Sequence, residues 1–192
     1  METKHHTISE IEAEWGLVQK AQKDPALFAP LYNKHFKPIF LFVLRRLQEE
    51  DLAADLTALV FSKALYNLHR YTYKAVPFSA WLYQIALNEI QGYYRQSKKE
   101  RVVSFSSEAL LLLSHDVSEE EESEFRTERE QLLLQSMEEL TEEEIVYIEL
   151  RFFEGRSFKE IADIRQVTEN NAKVKTYRII ERLRKIILTR KR

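Results

Sequence analysis

Along the first half of the chain, apolar residues recur at the three-to-four-residue spacing of helices with one buried face. The clearest stripe is Leu52, Leu56, Leu59, Val60, Ala64, Leu65 and Leu68, which predicts a helix capped by Asp51. Upstream, Asp24-Pro25 has the form of an N-cap followed by proline in the first turn, opening a helix to about Lys37. Pro38 is expected to break that helix, and Ile39 to Leu47 to form the next. His69 to Val76 has no stripe and reads as a loop. Pro77 then opens a helix carrying Phe78, Trp81, Leu82, Ile85, Ala86 and Ile90. These faces suffice to bury one another as a bundle.

The periodicity dissolves between Val102 and about Thr127 into serines and glutamates, including Ser118-Glu119-Glu120-Glu121-Glu122. Self-repelling acidic sequence resists burial and behaves as an extended linker. Leu110 to Leu113 is an apolar knot inside it, read either as a docking segment or as a short helix, the first being favoured. Pattern returns at Glu128 to Leu140. Thr141-x-x-Glu144 and Ser157-x-x-Glu160 are capping boxes, Thr168 is a good N-cap, and Gly155 stands where a helix should stop. The expected helices are about 142–153, 158–164 and a long one from 169. A short helix, a turn of about three residues and a longer basic helix make a helix-turn-helix. The expectation is therefore all-α, with two small helical domains at 1–100 and 128–192 joined by a flexible acidic linker at 101–127.

Charge sharpens this picture. The net charge of −2 conceals nine acids against three bases in residues 101–130, and nine bases against one acid from Lys173 to Arg192. An acidic middle and a basic end suit a nucleic-acid binder, although a solvated cationic helix face has the same composition. In a helix-turn-helix the first turns of the second helix meet base edges, here Glu169, Asn170, Asn171, Lys173, Val174 and Lys175. Asparagine pairs with adenine, and lysine reaches guanine or phosphate. Arg178, Arg182, Arg184 and Lys185 lie further along, toward phosphate or solvent. An ordinary helical hairpin is the competing reading.

Other chemistry finds little support. There is no cysteine, so disulfides and thiolate chemistry are excluded. The five histidines are scattered without metal-ligand spacing, and only three glycines are available for phosphate-cradling loops. No catalytic group, metal, cofactor or small-molecule substrate is expected. No secretory signal follows Met1 and no apolar run nears the roughly 20 residues of a membrane span, so a cytoplasmic protein without membrane insertion is expected.

Residues 141–188 resemble the C-terminal DNA-binding domain of extracytoplasmic-function sigma factors, through a capped acidic helix, then Arg151-Phe152-Phe153-Glu154-Gly155-Arg156-Ser157-Phe158-Lys159-Glu160-Ile161-Ala162, then the reading helix. Asp24-Pro25-Ala26-Leu27-Phe28-Ala29-Pro30-Leu31-Tyr32 resembles the family's opening signature. Residues 53–70 resemble its clamp-gripping helix, and residues 77–95 the segment that captures the minus-10 element. The resemblance spans about residues 20–190. It implies three partners: core RNA polymerase, promoter DNA and a controlling anti-sigma factor. It implies minus-35 reading by Thr168, Glu169, Asn170, Asn171, Lys173, Lys175 and Arg178. It implies minus-10 capture by Asn67, His69, Arg70 and Tyr71 in the loop and Asn88, Tyr93 and Arg95 on the next helix. Clamp binding would fall to Asp51, Asp55, Thr57, Ala58, Leu59 and Ser62. Phe78, Trp81 and Leu82 read as core, while Tyr93 and Tyr94, being adjacent, cannot both face it.

Two departures stand out. Ala54, Ala58 and Leu59 replace an acid, a glutamine and a glutamate usual in the family, which keeps open a sigma-like adaptor that no longer supports initiation. Gln166 occupies a turn position where the family often has glycine, at a cost of about a kcal/mol. An independent helix-turn-helix regulator is a further reading, but it leaves residues 53–95 unexplained. The acids of residues 116–124 are expected to compete with phosphate for the basic helix.

Overall fold

The computed structural model describes residues 7–97, 110, 113, 117 and 126–190, and the regular elements among them are all helical. The chain divides into two units, one within His6–Ser104 and the other within Phe105–Arg192.

The first unit opens with α1 (Ile8–Lys23), which the apolar pattern did not announce. Its start is locally encoded: the Glu10 amide donates to Thr7 Oγ1 at 3.2 Å and the Thr7 amide donates to Glu10 Oε2 at 2.8 Å. Its buried face is Glu14, Val18 and Ala21, so a carboxylate sits inside the stripe and obscures it. Asp24 then accepts from the Ala26 amide at 3.0 Å and starts a 3-10 turn, Pro25–Phe28. It leads into α2 (Ala29–Leu47), which runs straight through Pro38. That corrects the expected break. Leu31, His35, Ile39, Phe42, Val43 and Leu47 form one buried stripe across the proline. Burial of four or five such side chains, at about 1.5–3 kcal/mol each, outweighs the roughly 3 kcal/mol that an interior proline costs.

α3 (Glu50–Asn67) begins two residues earlier than expected, with Glu49 extended at the cap and Asp51 inside the first turn, where its charge suits the helix dipole. A short 3-10 turn, Leu68–Arg70, and an irregular stretch lead to α4 (Phe78–Ser97). Gln22 of α1 ties that stretch down, its Nε2 donating to the carbonyls of Leu68 at 2.9 Å and Tyr71 at 2.8 Å. Glu14 does more. Its Oε1 lies 2.7 Å from Lys34 Nζ and 2.8 Å from His35 Nε2, and its Oε2 accepts from the Phe78 amide at 2.7 Å. One buried carboxylate thereby joins α1 to α2 and satisfies an orphan donor at the start of α4.

The second unit comprises α5 (Arg126–Met137), α6 (Glu142–Ile148) with a π-helical turn Glu149–Phe153, α7 (Phe158–Arg165) and α8 (Glu169–Arg190). Both capping boxes form, on Thr141 and on Ser157. Gly155 takes φ 63°, and the Arg156 amide closes the stop by donating to Leu150 O at 2.9 Å. Leu110, Leu113 and Val117 are helical and buried, and Arg184 Nε donates to the Val117 carbonyl at 3.1 Å. Within the knot, Leu110 and Leu113 are the described residues, and Leu111 and Leu112 lie outside them. The acidic run 118–122 lies outside the described residues.

In the α7–α8 turn Gln166 adopts the left-handed conformation, φ 54° and ψ 46°, and its Nε2 donates to Asp163 O at 2.6 Å. That bond offsets only part of the strain at a side-chain-bearing residue. Gln166→Gly is expected to stabilise the full chain by about 0.5–1 kcal/mol. A thermal melt that fell instead would mean the side-chain bond outweighs the strain.

Candidate nucleic-acid and partner interfaces

Side-chain direction on α8 follows from its buried stripe, Ala172, Thr176, Ile179, Ile180 and Leu183, which packs into the second unit. At about 100° per residue the opposite face is centred on Val174, with Asn170, Tyr177 and Arg178 around it. Asn170, Asn171, Lys173, Val174, Tyr177 and Arg178 are all exposed, and five of them line a shallow groove along the helix. Thr168 is spent on the cap, its Oγ1 accepting from the Asn171 amide at 3.2 Å, and Glu169 is exposed beside it.

Lys175 does not join this face. It lies toward the buried side, paired with Glu143 of α6, with Nζ 5.0 Å from the centre of the Tyr147 ring. Arg165 of α7 shares the same acid at 3.6 Å and the same ring at 5.5 Å. The hydrogen bond from Lys175 holds the Glu143 carboxyl below its ordinary range. In the free chain Lys175 therefore links α6 to α8 and stands apart from the outward face that was expected to include it. Further along, Arg182 donates to Glu144 at 2.6 Å and Arg190 to Glu139 at 2.6 Å, so acids of the unit itself occupy much of the basic tail. Lys173 and Arg178 have no ion-pair partner among the described residues. Lys173→Ala and Arg178→Ala are each expected to lower the salt slope of DNA binding by about one, while Lys175→Ala lowers stability and leaves that slope unchanged. Titrations at several salt concentrations measure the difference.

On α3 the residues Asp51, Asp55, Ala58, Leu59 and Ser62 are exposed and share one outward stripe. Tyr66, 81% exposed, extends it by one turn and was not anticipated, although its spacing from Leu59 and Ser62 placed it there. Thr57 is the exception. It is fully buried, with Oγ1 donating to Ala53 O at 2.6 Å, so it faces the core and offers a partner nothing.

The loop and α4 divide in the same way. His69 and Arg70 are exposed and bonded to each other, Arg70 Nε donating to His69 Nε2 at 3.2 Å. Asn67 is half-buried and turned onto its own helix end, its Nδ2 donating to Lys63 O at 2.9 Å. Tyr71 is buried, with ring centres 4.9 Å from Trp81, 5.2 Å from Phe78 and 6.0 Å from Trp15. Three rings occupy its surroundings, so Tyr71 is a core residue and not a base-holding one. Tyr73, 42% exposed and 5.8 Å from Trp15, is the aromatic of this loop that reaches solvent. On α4, Asn88 and Arg95 are exposed on one stripe. Tyr94 is buried and donates to the Arg46 carbonyl, leaving the half-buried Tyr93 outside it.

Comparison with known proteins matches two segments. Residues 31–100 fit the model of sigma-70 region 2, and residues 130–183 that of sigma-70 region 4. RNA polymerase sigma factor YlaC of Bacillus subtilis is 30% identical over 135 residues, covering 70% of this chain and 76% of YlaC. The ECF RNA polymerase sigma factor SigM of the same organism is 26% identical, covering 80% of this chain and 91% of SigM. The ECF RNA polymerase sigma factor BldN of Streptomyces coelicolor is 27% identical, covering 89% of this chain but 64% of BldN. A chain of the solved RsbN-BldN complex is 22% identical with a TM-score of 0.38, covering 88% of this chain and 98% of that one. Among the described residues, no helix is long and apolar enough to cross a membrane.

Proposed function

We propose a role that follows from membership: this chain belongs to the extracytoplasmic-function sigma factors of the sigma-70 family, and it binds core RNA polymerase and directs it to promoters with two upstream elements. The supporting observation is that the two family segments occur in order on separate helical units, each with an outward helix face of fitting chemistry. The α3 stripe, acidic at Asp51 and Asp55 and apolar at Ala58, Leu59 and Tyr66, serves as the polymerase contact. The outward face of α8 lies in the major groove of the minus-35 element. His69, Arg70 and Tyr73 from the loop, with Asn88, Tyr93 and Arg95 from α4, hold the melted minus-10 strand by stacking and charge.

The protein acts by binding, without chemistry of its own, and it works in the cytoplasm, where polymerase and DNA are. An anti-sigma factor controls it by covering one of these faces. The test is in vitro transcription with bacterial core polymerase over a pooled promoter library, with and without this protein. New start sites sharing two upstream sequences are expected. No new starts from folded protein would favour the sigma-like adaptor, whose supporting feature is the apolar Ala54, Ala58 and Leu59 on the partner-facing helix.

A further inference from the structure

The outward face of α8 is polar or charged at Asn170, Asn171, Lys173 and Arg178, yet its centre is a branched aliphatic side chain, Val174, 38% exposed. Helix geometry places Val174 about 180° from the buried stripe, so it is the most protruding position of the face. Beside it stands Tyr177, 50% exposed. The ring of Phe158, the first residue of α7, has its centre 5.8 Å from that of Tyr177, and the Arg151 guanidinium lies 4.8 Å from the Phe158 ring centre. Arg151 is fixed in turn by donating to Arg156 O at 3.1 Å. A row of side chains thus runs from the π-helical turn to Tyr177, which stands about one helical turn beyond Val174.

We propose that Val174 reads the C5-methyl group of a thymine in the minus-35 element, an inference that rests on the function proposed above. Among major-groove edges, the thymine methyl is the apolar feature available to such a side chain. Every base presents a polar group at this edge, thymine its O4, so the discrimination comes from the methyl, which gives valine an apolar contact that cytosine, guanine and adenine lack. Asn170 and Asn171, one turn earlier on the same face, suit adenine edges, so the face as a whole prefers A·T pairs.

The test uses holoenzyme reconstituted from the full chain and core polymerase, on promoters taken from the mapped start sites. Each thymine of the upstream element is replaced in turn by deoxyuridine, which keeps every hydrogen-bonding group and lacks only the methyl. At least one replacement is expected to weaken binding about fourfold, the effect of one buried methyl. V174A is expected to bind the thymine and deoxyuridine forms of that site equally. Its exposed position leaves folding intact, which circular dichroism checks. If V174A still distinguishes the two forms, or lowers affinity equally for every sequence, Val174 does not read the methyl. The same follows if no deoxyuridine replacement matters while promoter-specific starts persist. Absence of any starts would instead remove the proposed function, and this reading with it.

Discussion

Glu14→Ala is expected to destabilise the N-terminal bundle by about 3–5 kcal/mol, because it leaves buried partners without their charge. Glu14 is 4% exposed, and it alone joins Lys34 and His35 on α2 to the Phe78 amide at the start of α4. Removing it strands a buried imidazole and an unpaired helix-start amide together. Burial pushes its carboxyl up, but hydrogen bonding and charge from His35, with Lys34 and the Phe78 amide, outweigh burial and bring its pKa from 4.5 to about 2. A carboxylate depressed on folding stabilises fully above its unfolded value. That contribution begins to fade below about pH 4.5 and is gone near pH 2. A shift of this size corresponds to about 3 kcal/mol. Urea melts of the wild type from pH 6 to 2.5 are expected to lose much of it, and Glu14→Ala to show a flatter profile. Parallel profiles would show that other groups govern acid stability.

Leu59→Asp is expected to weaken binding to core polymerase by at least about 2 kcal/mol, roughly 30-fold, while leaving the fold and duplex binding by the C-terminal unit unchanged. Leu59 is 41% exposed, next to Ala58, one turn after Asp55 and two turns before Tyr66. A carboxylate there must be dehydrated in any apolar contact and adds like charge beside Asp55 and Asp51. Substitution on the opposite side of the same helix has a different consequence. Thr57→Asp would put charge into the core and unfold the unit, so Leu59, unlike Thr57, separates binding from folding. Unaltered association with core polymerase would exclude the α3 stripe as the contact. A loss of helicity in Leu59→Asp would show that the side chain supports the bundle.

Much of the C-terminal unit was legible because its signals are local. A capping box satisfies backbone amides within three residues, so Thr141 and Ser157 marked their helices without reference to the rest of the chain. Gly155 and Gln166 are set by the same short-range geometry, and both take positive φ. Thr7 and Glu10 carried an equally local signal for α1, but the carboxylate of Glu14 on its buried face broke the apolar pattern that would have drawn attention to it.

What the amino-acid sequence determined by itself is the helical class, most of the helix boundaries and the order of two segments matching one family. Those depend on backbone bonds and periodicity spanning at most four residues. Tertiary structure alone decided which chemically suitable residues are presented outward. Tyr71 and Thr57 have the right groups for a partner, yet three rings close around one and packing of the bundle buries the other completely. Lys175 has the right charge for DNA, yet Glu143, 32 residues earlier, holds it. Pro38 should stop a helix, yet the stripe it interrupts is buried on both sides. In each case the deciding partner lies across the fold or along a packed face, and amphipathic side chains point wherever that partner stabilises them most.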